Sequence, residues 1–104
     1  IVYMVPNYLQ IQGIARAFGA VVKPLPLLPE LGWRPDLEAL EAALSPRTRV
    51  IAVCNPNNPT GAVLTAEAMQ RIAAAAERTG AWLLSDEIYR GAERNGVTTA
   101  SFHD

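Results

Sequence analysis

The chain has 104 residues, with 9 basic against 10 acidic side chains and a formal net charge of −1, which is about one small domain in size. Half of it is hydrophobic and only 18% is charged, so a core can be built, and neither a strongly basic nucleic-acid binder nor an acidic tail fits. One Cys and one His exclude an internal disulfide and a cysteine or histidine metal cluster, and no metal site is expected.

Residues 1–5 form an apolar run stopped by Pro6 and read as a strand. From Tyr8 onward, Ile11, Ile14 with Ala15, and Phe18 recur at the spacing of one helix face, and Gly19 fits the stop. Residues 20–25 read as a second strand, which Pro24 marks as an edge or ends early. Residues 28–35 hold three breakers and read as a loop. Asp36 is the expected N-cap of a helix with a Leu37, Leu40, Leu44 stripe, ended by Ser45-Pro46. Residues 49–54 are the clearest buried strand, followed by a polar, proline-rich loop over 55–61. Thr65 caps a helix whose inner face is Met69, Ile72, Ala73 and Ala76, with Gly80 as its stop. Residues 81–85 read as another strand, and from Asp86 the chain is loop-like. Trp33 and Trp82 are expected to be packing residues.

Strands alternating with helices predict an α/β fold, here a three-layer αβα arrangement on a mostly parallel sheet with right-handed crossovers. In such sheets ligands bind outside the carboxyl ends of the strands. Three of the four expected ends carry polar or aromatic groups: Pro6-Asn7-Tyr8, the loop Asn55-Pro56-Asn57-Asn58-Pro59-Thr60-Gly61, and Asp86-Glu87-Ile88-Tyr89. By residue type alone each also has a plain structural reading. The Asn-Pro loop can be a tight connection, Asp86 a cap, and Tyr8 the first core residue of its helix.

The combination resembles the large domain of class I/II aminotransferases, fold-type I enzymes that use pyridoxal phosphate. The resemblance rests on the 55–61 loop, the Asp86-Glu87-Ile88-Tyr89 element 28 positions after Asn58, the upstream Pro6-Asn7-Tyr8 and the Gly19-Ala20 pair. It covers essentially the whole chain and about a quarter of a typical family chain. It implies that Asp86 pairs with the cofactor's pyridine nitrogen and that Asn58 and Tyr89 hydrogen-bond its phenolic oxygen. It implies that Tyr8 stacks on the ring and that Asn58 also reaches the substrate carboxylate. Relatives often have cis peptides before prolines matching Pro6 and Pro59, which makes Val5-Pro6 and Asn58-Pro59 cis candidates.

The resemblance also implies what lies elsewhere. The chain opens on a strand without an initiator Met, and residues 1–104 are expected to be a fragment of the cofactor-binding large domain. The family's Schiff-base lysine, in a downstream Ser-x-x-Lys element, its phosphate-binding Gly/Ser-rich loop, its substrate-reading arginine and its small domain are expected outside it. The single lysine, Lys23, reads as a solvated strand residue, so no catalytic residue is assigned. Weak or absent binding of pyridoxal phosphate, and no transamination, are expected of this stretch alone.

The implied parent is an aminotransferase acting on an amino acid and a 2-oxo acid, homodimeric and cytoplasmic. Two alternatives stand beside it. One is another fold-type I enzyme, a lyase or cyclase. The other is a truncated, non-catalytic binding or assembly module that self-associates through uncovered surfaces. No secretion signal and no run of 18 apolar residues is visible, so no membrane span is expected, and the near-neutral charge leaves no nucleic-acid partner expected. Cys54 reads as a structural thiol, Ser85 lacks a nucleophile-elbow pattern, His103 has no specific role, and Arg90 and Arg94 read as surface charges.

Overall fold

In the computed structural model, which describes all 104 residues, the expected alternation is present with one addition. The elements are β1 (Val2–Val5), α1 (Gln10–Ala17), β2 (Lys23–Leu28), β3 (Arg34–Pro35), α2 (Leu37–Ala43), β4 (Val50–Cys54), α3 (Ala66–Thr79) and β5 (Trp82–Asp86). The five strands form one sheet in the order β3-β2-β1-β4-β5. β2, β1, β4 and β5 run parallel, and β3 lies antiparallel to the end of β2.

The helix ends follow the side chains expected to make them. Asp36 accepts from the Glu38 and Ala39 N–H groups at the start of α2, and Thr65 accepts from Ala68 N–H at the start of α3. Such caps satisfy amides that have no partner within the helix. Gly80 ends α3 in the left-handed region at φ 67°, where a side chain would clash with its own backbone.

Side chains alternate along each strand, so the sheet has two unlike faces. Val2, Met4, Leu25, Leu27, Ile51 and Val53 point to one face and share a core with Leu40 of α2 and Ile72, Ala75 and Ala76 of α3. Tyr3, Ala52, Cys54, Trp82, Leu84 and Asp86 fall on the other face by register. The chain steps from β1 outward to β2, then returns past β1 to β4 and β5. Right-handed crossovers therefore set α1 against the second face, opposite α2 and α3. The direction of winding changes between β1 and β4, the position where open α/β sheets form a binding crevice.

Four local differences have physical causes. β2 starts at Lys23 rather than at residue 20, because β1 starts at Val2 and only the Ile1 ammonium meets the Val21 carbonyl, at 2.6 Å. β3 was hidden inside the breaker-rich segment. A 3-10 turn at Pro29–Leu31, then Gly32 and Trp33 both at positive φ, reverse the chain onto β2. The apolar stripe of α1 is only half-buried, at Ile11 and Ala15, and Phe18 stays 87% exposed. Trp82 is 81% exposed rather than packed, because β5 is an edge strand and no helix follows it on the α1 face.

Candidate functional site

The loops after β1, β4 and β5 meet at one rim of the sheet, and the 55–61 loop is its frame. Asn55 is fully buried; its side-chain oxygen accepts from Leu64 N–H at 3.0 Å, and its own N–H donates to the Asp86 carbonyl at 2.9 Å. The last contact carries the β4–β5 ladder past the end of the strands. Asn57 is also buried. Its side-chain oxygen accepts from the Thr60 hydroxyl at 2.6 Å, and its amide donates across the winding change to the Pro6 carbonyl at 3.3 Å. The peptides before Pro6 and Pro59 are cis, as expected, and so is the one before Pro56, which the sequence reading did not anticipate.

Asn58 is the one asparagine of the three that the loop presents outward. Its side-chain amide donates to the Tyr89 hydroxyl oxygen at 2.9 Å, so these two expected site residues are brought together. That bond leaves the Tyr89 hydroxyl hydrogen and the second Asn58 N–H free to point at a ligand. Asn58 stands between two clefts. One, of about 330 Å³, is shared with Tyr89, Gly61, Val63, Ala92 and Glu93. The other, of about 560 Å³, is shared with Asn7, Tyr8, Leu9 and Gln10. Neither cleft is lined by Lys or Arg.

Tyr8 lies outside α1 with 61% of its surface exposed, so it is not a core residue of that helix. Asp86 ends β5, half-buried, in register with Cys54 on the α1 face. One of its carboxylate oxygens accepts from Ile88 N–H at 3.1 Å and the other has no protein partner. Asp86 lines neither cleft wall directly; it sits at the floor of the rim, beside Tyr3 and Cys54. Burial pushes the Tyr3 phenol up from its ordinary value, and the nearby Cys54 and Asp86 add to this. Burial likewise raises the Cys54 thiol, and Asp86 adds to it against the opposing Asn58 backbone. Cys54 donates to the Pro56 carbonyl at 3.1 Å, which makes it a buried structural thiol rather than a nucleophile.

Two residues that shape the rim were not singled out in the sequence. Tyr3 is fully buried in the middle of β1, and its hydroxyl donates to the Tyr8 carbonyl. Asn57 joins the β1 and β4 loops. The available signal for Tyr3 was a phenol on an apolar strand, two residues from Val5 and on the same face as the rim.

Past Tyr89 the chain is more ordered than its lack of periodicity implied. Burial alone would raise the Glu87 carboxyl, but hydrogen bonds from the Ser101 and Ser85 hydroxyls and Phe102 N–H, with Arg90 nearby, hold it below the usual range. Arg90 donates to the Thr99 carbonyl at 2.7 Å and pairs with Asp104 at 3.1 Å, so it fastens the C-terminal segment. Glu93 receives the Gly91 and Thr99 N–H groups, both at 2.8 Å, and contacts with Thr99 above all hold its carboxyl down to about 2. Lys23 lies at the far end of the sheet. It starts β2 in register with Val2, about 10 Å of strand before the rim at ~3.3 Å per residue, and donates to the Ala43 carbonyl at 3.0 Å.

Comparison with known proteins points the same way. The family model described as aminotransferase class I and II matches residues 1–102. The aspartate/prephenate aminotransferase of Thermus thermophilus is 38% identical over 89 residues, covering 86% of this chain and 23% of that protein. Capreomycidine synthase of Streptomyces vinaceus is 48% identical over 62 residues, covering 60% of this chain and 16% of that protein. A PLP-dependent aminotransferase from Streptococcus suis superposes with a TM-score of 0.89 at 35% identity, covering 98% of this chain and 27% of that one. The chain thus spans about a quarter of the length of these aminotransferases and, with its three loop motifs on the rim of a parallel sheet, belongs to the class I and II aminotransferase family.

Proposed function

We propose that the chain is a slice of the cofactor-binding domain of a pyridoxal-phosphate-dependent aminotransferase, which moves an amino group between an amino acid and a 2-oxo acid. The observation that carries this is the Asn58–Tyr89 pair, donors held 2.9 Å apart at the carboxyl ends of the parallel strands with the Asp86 carboxylate on the same rim. The donor set fits the cofactor's ring. A carboxylate oxygen without a protein partner suits a protonated pyridine nitrogen, two outward donors suit a phenolate oxygen, and an exposed aromatic side chain suits a planar ring.

Pyridoxal phosphate, when bound, supplies an electron sink for charge that develops at the carbon bearing the amino group. Asp86 would keep the ring nitrogen protonated by placing a negative charge beside it. Asn58 and Tyr89 would hold the phenolic oxygen in the ring plane, and Asn58 would also meet the substrate carboxylate. Tyr8 would cover one ring face and shut water from it. The clefts hold no cation for the phosphate, and Lys23 is on the wrong rim to act as a base. These functions, with a small domain and a partner subunit, belong on this proposal to the rest of a homodimeric, cytoplasmic parent.

The test is a half-reaction on the whole protein loaded with cofactor. Mixed with a panel of amino acids, it should release 2-oxo acids and leave the aminated cofactor in equal amount. Release of ammonia, or of a cyclised amino acid, would instead favour the lyase or cyclase reading, for which the similarity to capreomycidine synthase is the specific support.

A further inference from the structure

We infer that Tyr3 is a positioning residue, whose buried hydroxyl clamps the Tyr8 carbonyl and so fixes the Tyr8 ring at the rim. The inference rests on the reading of Tyr8 as a ligand-facing ring. It starts from an oddity of β1. Its other buried side chains, Val2 and Met4, are apolar, as a strand under two layers requires. Tyr3 alone carries a polar group into the interior, and a buried hydroxyl needs a partner. It finds one five residues on, outside its own strand, at Tyr8.

The loop between them has little else to hold it. Pro6 has no N–H to give. Tyr8 N–H is used only by the neighbouring Asn7 side chain, at 2.7 Å. Tyr8 itself is exposed and α1 buries none of its residues, so packing does not fix the ring. Two side chains reach the loop from the sheet: Asn57 takes the Pro6 carbonyl, and Tyr3 takes the Tyr8 carbonyl. The first sets where the loop begins and the second where the ring sits. Tyr3 also shares the α1 face with Cys54 and Asp86, and burial above all, with Cys54 and Asp86 beside it, pushes its phenol above its ordinary value, so it remains a donor. The clamp and the rim carboxylate are thereby parts of one local structure.

The test uses Tyr3→Phe, which keeps the buried ring and removes only the hydroxyl. Val2→Ala, which weakens the opposite face of the same strand, is the control for a general loss of stability. Backbone order at Asn7, Tyr8 and Leu9 is read by NMR relaxation in the whole protein. In the unsubstituted protein and in Val2→Ala the order parameters should stay near the rigid value of about 0.85; in Tyr3→Phe they should fall below about 0.6. Equal order in Tyr3→Phe, or an equal fall in Val2→Ala, would overturn the inference. A second readout needs no substitution: the Tyr3 phenolic proton, shut from water, should give a resolved signal with a cross-peak to Tyr8, and its absence would also count against the clamp. Added to the whole protein freed of its cofactor, pyridoxine phosphate, which has no aldehyde to react with amines, separates the two ideas. Weaker binding by Tyr3→Phe supports both. A loosened loop with no binding by any variant upholds the clamp and removes the cofactor reading.

Discussion

Three asparagines stand within four residues of the β4 loop, and their surroundings divide them. Asn55 and Asn57 are buried and bonded to backbone or to Thr60, whereas Asn58 faces the clefts and Tyr89. Leaving Leu64 N–H without its acceptor should cost about 1–3 kcal/mol in Asn55→Ala. Asn58→Ala should change stability by no more than about 0.5 kcal/mol, while removing the donor proposed to meet the cofactor. Urea unfolding of the two variants checks the contrast. Glu93 allows a prediction with pH. Its carboxyl lies below the ordinary 4.5, at about 2. A depressed carboxyl contributes fully above its unfolded value and loses its contribution as pH falls through its folded one. Amide signals of residues 91–99 should therefore hold above pH 4.5 and loosen as pH falls towards 2. The family resemblance picked out Tyr8, Asn58, Asp86 and Tyr89, and the structure sets them at the loops after β1, β4 and β5 and bonds Asn58 to Tyr89. The sequence did not show Tyr3 or Asn57, because a residue that acts through a backbone carbonyl leaves no pattern of its own.

At the level of elements, α3 and α1 make opposite cases. α3 is capped at both ends and buries Met69, Ile72, Ala75 and Ala76. Thr65→Ala should cost about 1 kcal/mol through its lost cap, and Ile72→Ala about 2–5 kcal/mol through lost burial and the cavity it leaves. α1 has an equally clear apolar stripe but no fully buried residue. Phe18→Ser should leave the unfolding midpoint nearly unchanged. Periodicity therefore located both helices but not what they pack against, since an apolar stripe states only that some surface must cover it. Strand boundaries were readable where a partner ran alongside, as for β4. They failed for β2, whose expected first residues extend past the start of β1, and for β3, whose two residues are set by turn chemistry rather than alternation.

For the whole molecule, the sheet is covered on one face and only partly on the other, where Tyr3 and Ala52 are buried but the β5 side is not. α2 and α3 seal the core face, while Trp82, Leu84, Phe18 and Ile14 remain exposed and β5 offers a free edge. Free edges and apolar patches favour association. Sedimentation should show the average mass rising with concentration, and Trp82→Lys should suppress that rise. No helix is long and apolar enough to cross a membrane. The most direct measurement is an NMR titration of the whole protein, freed of its cofactor, with pyridoxine phosphate. Saturable shifts confined, within this stretch, to Tyr8, Asn58, Asp86, Tyr89 and their neighbours are the expected result. Shifts centred on Lys23 and the opposite rim, or no saturable shift at the three loops, would contradict the assignment of this rim to the cofactor.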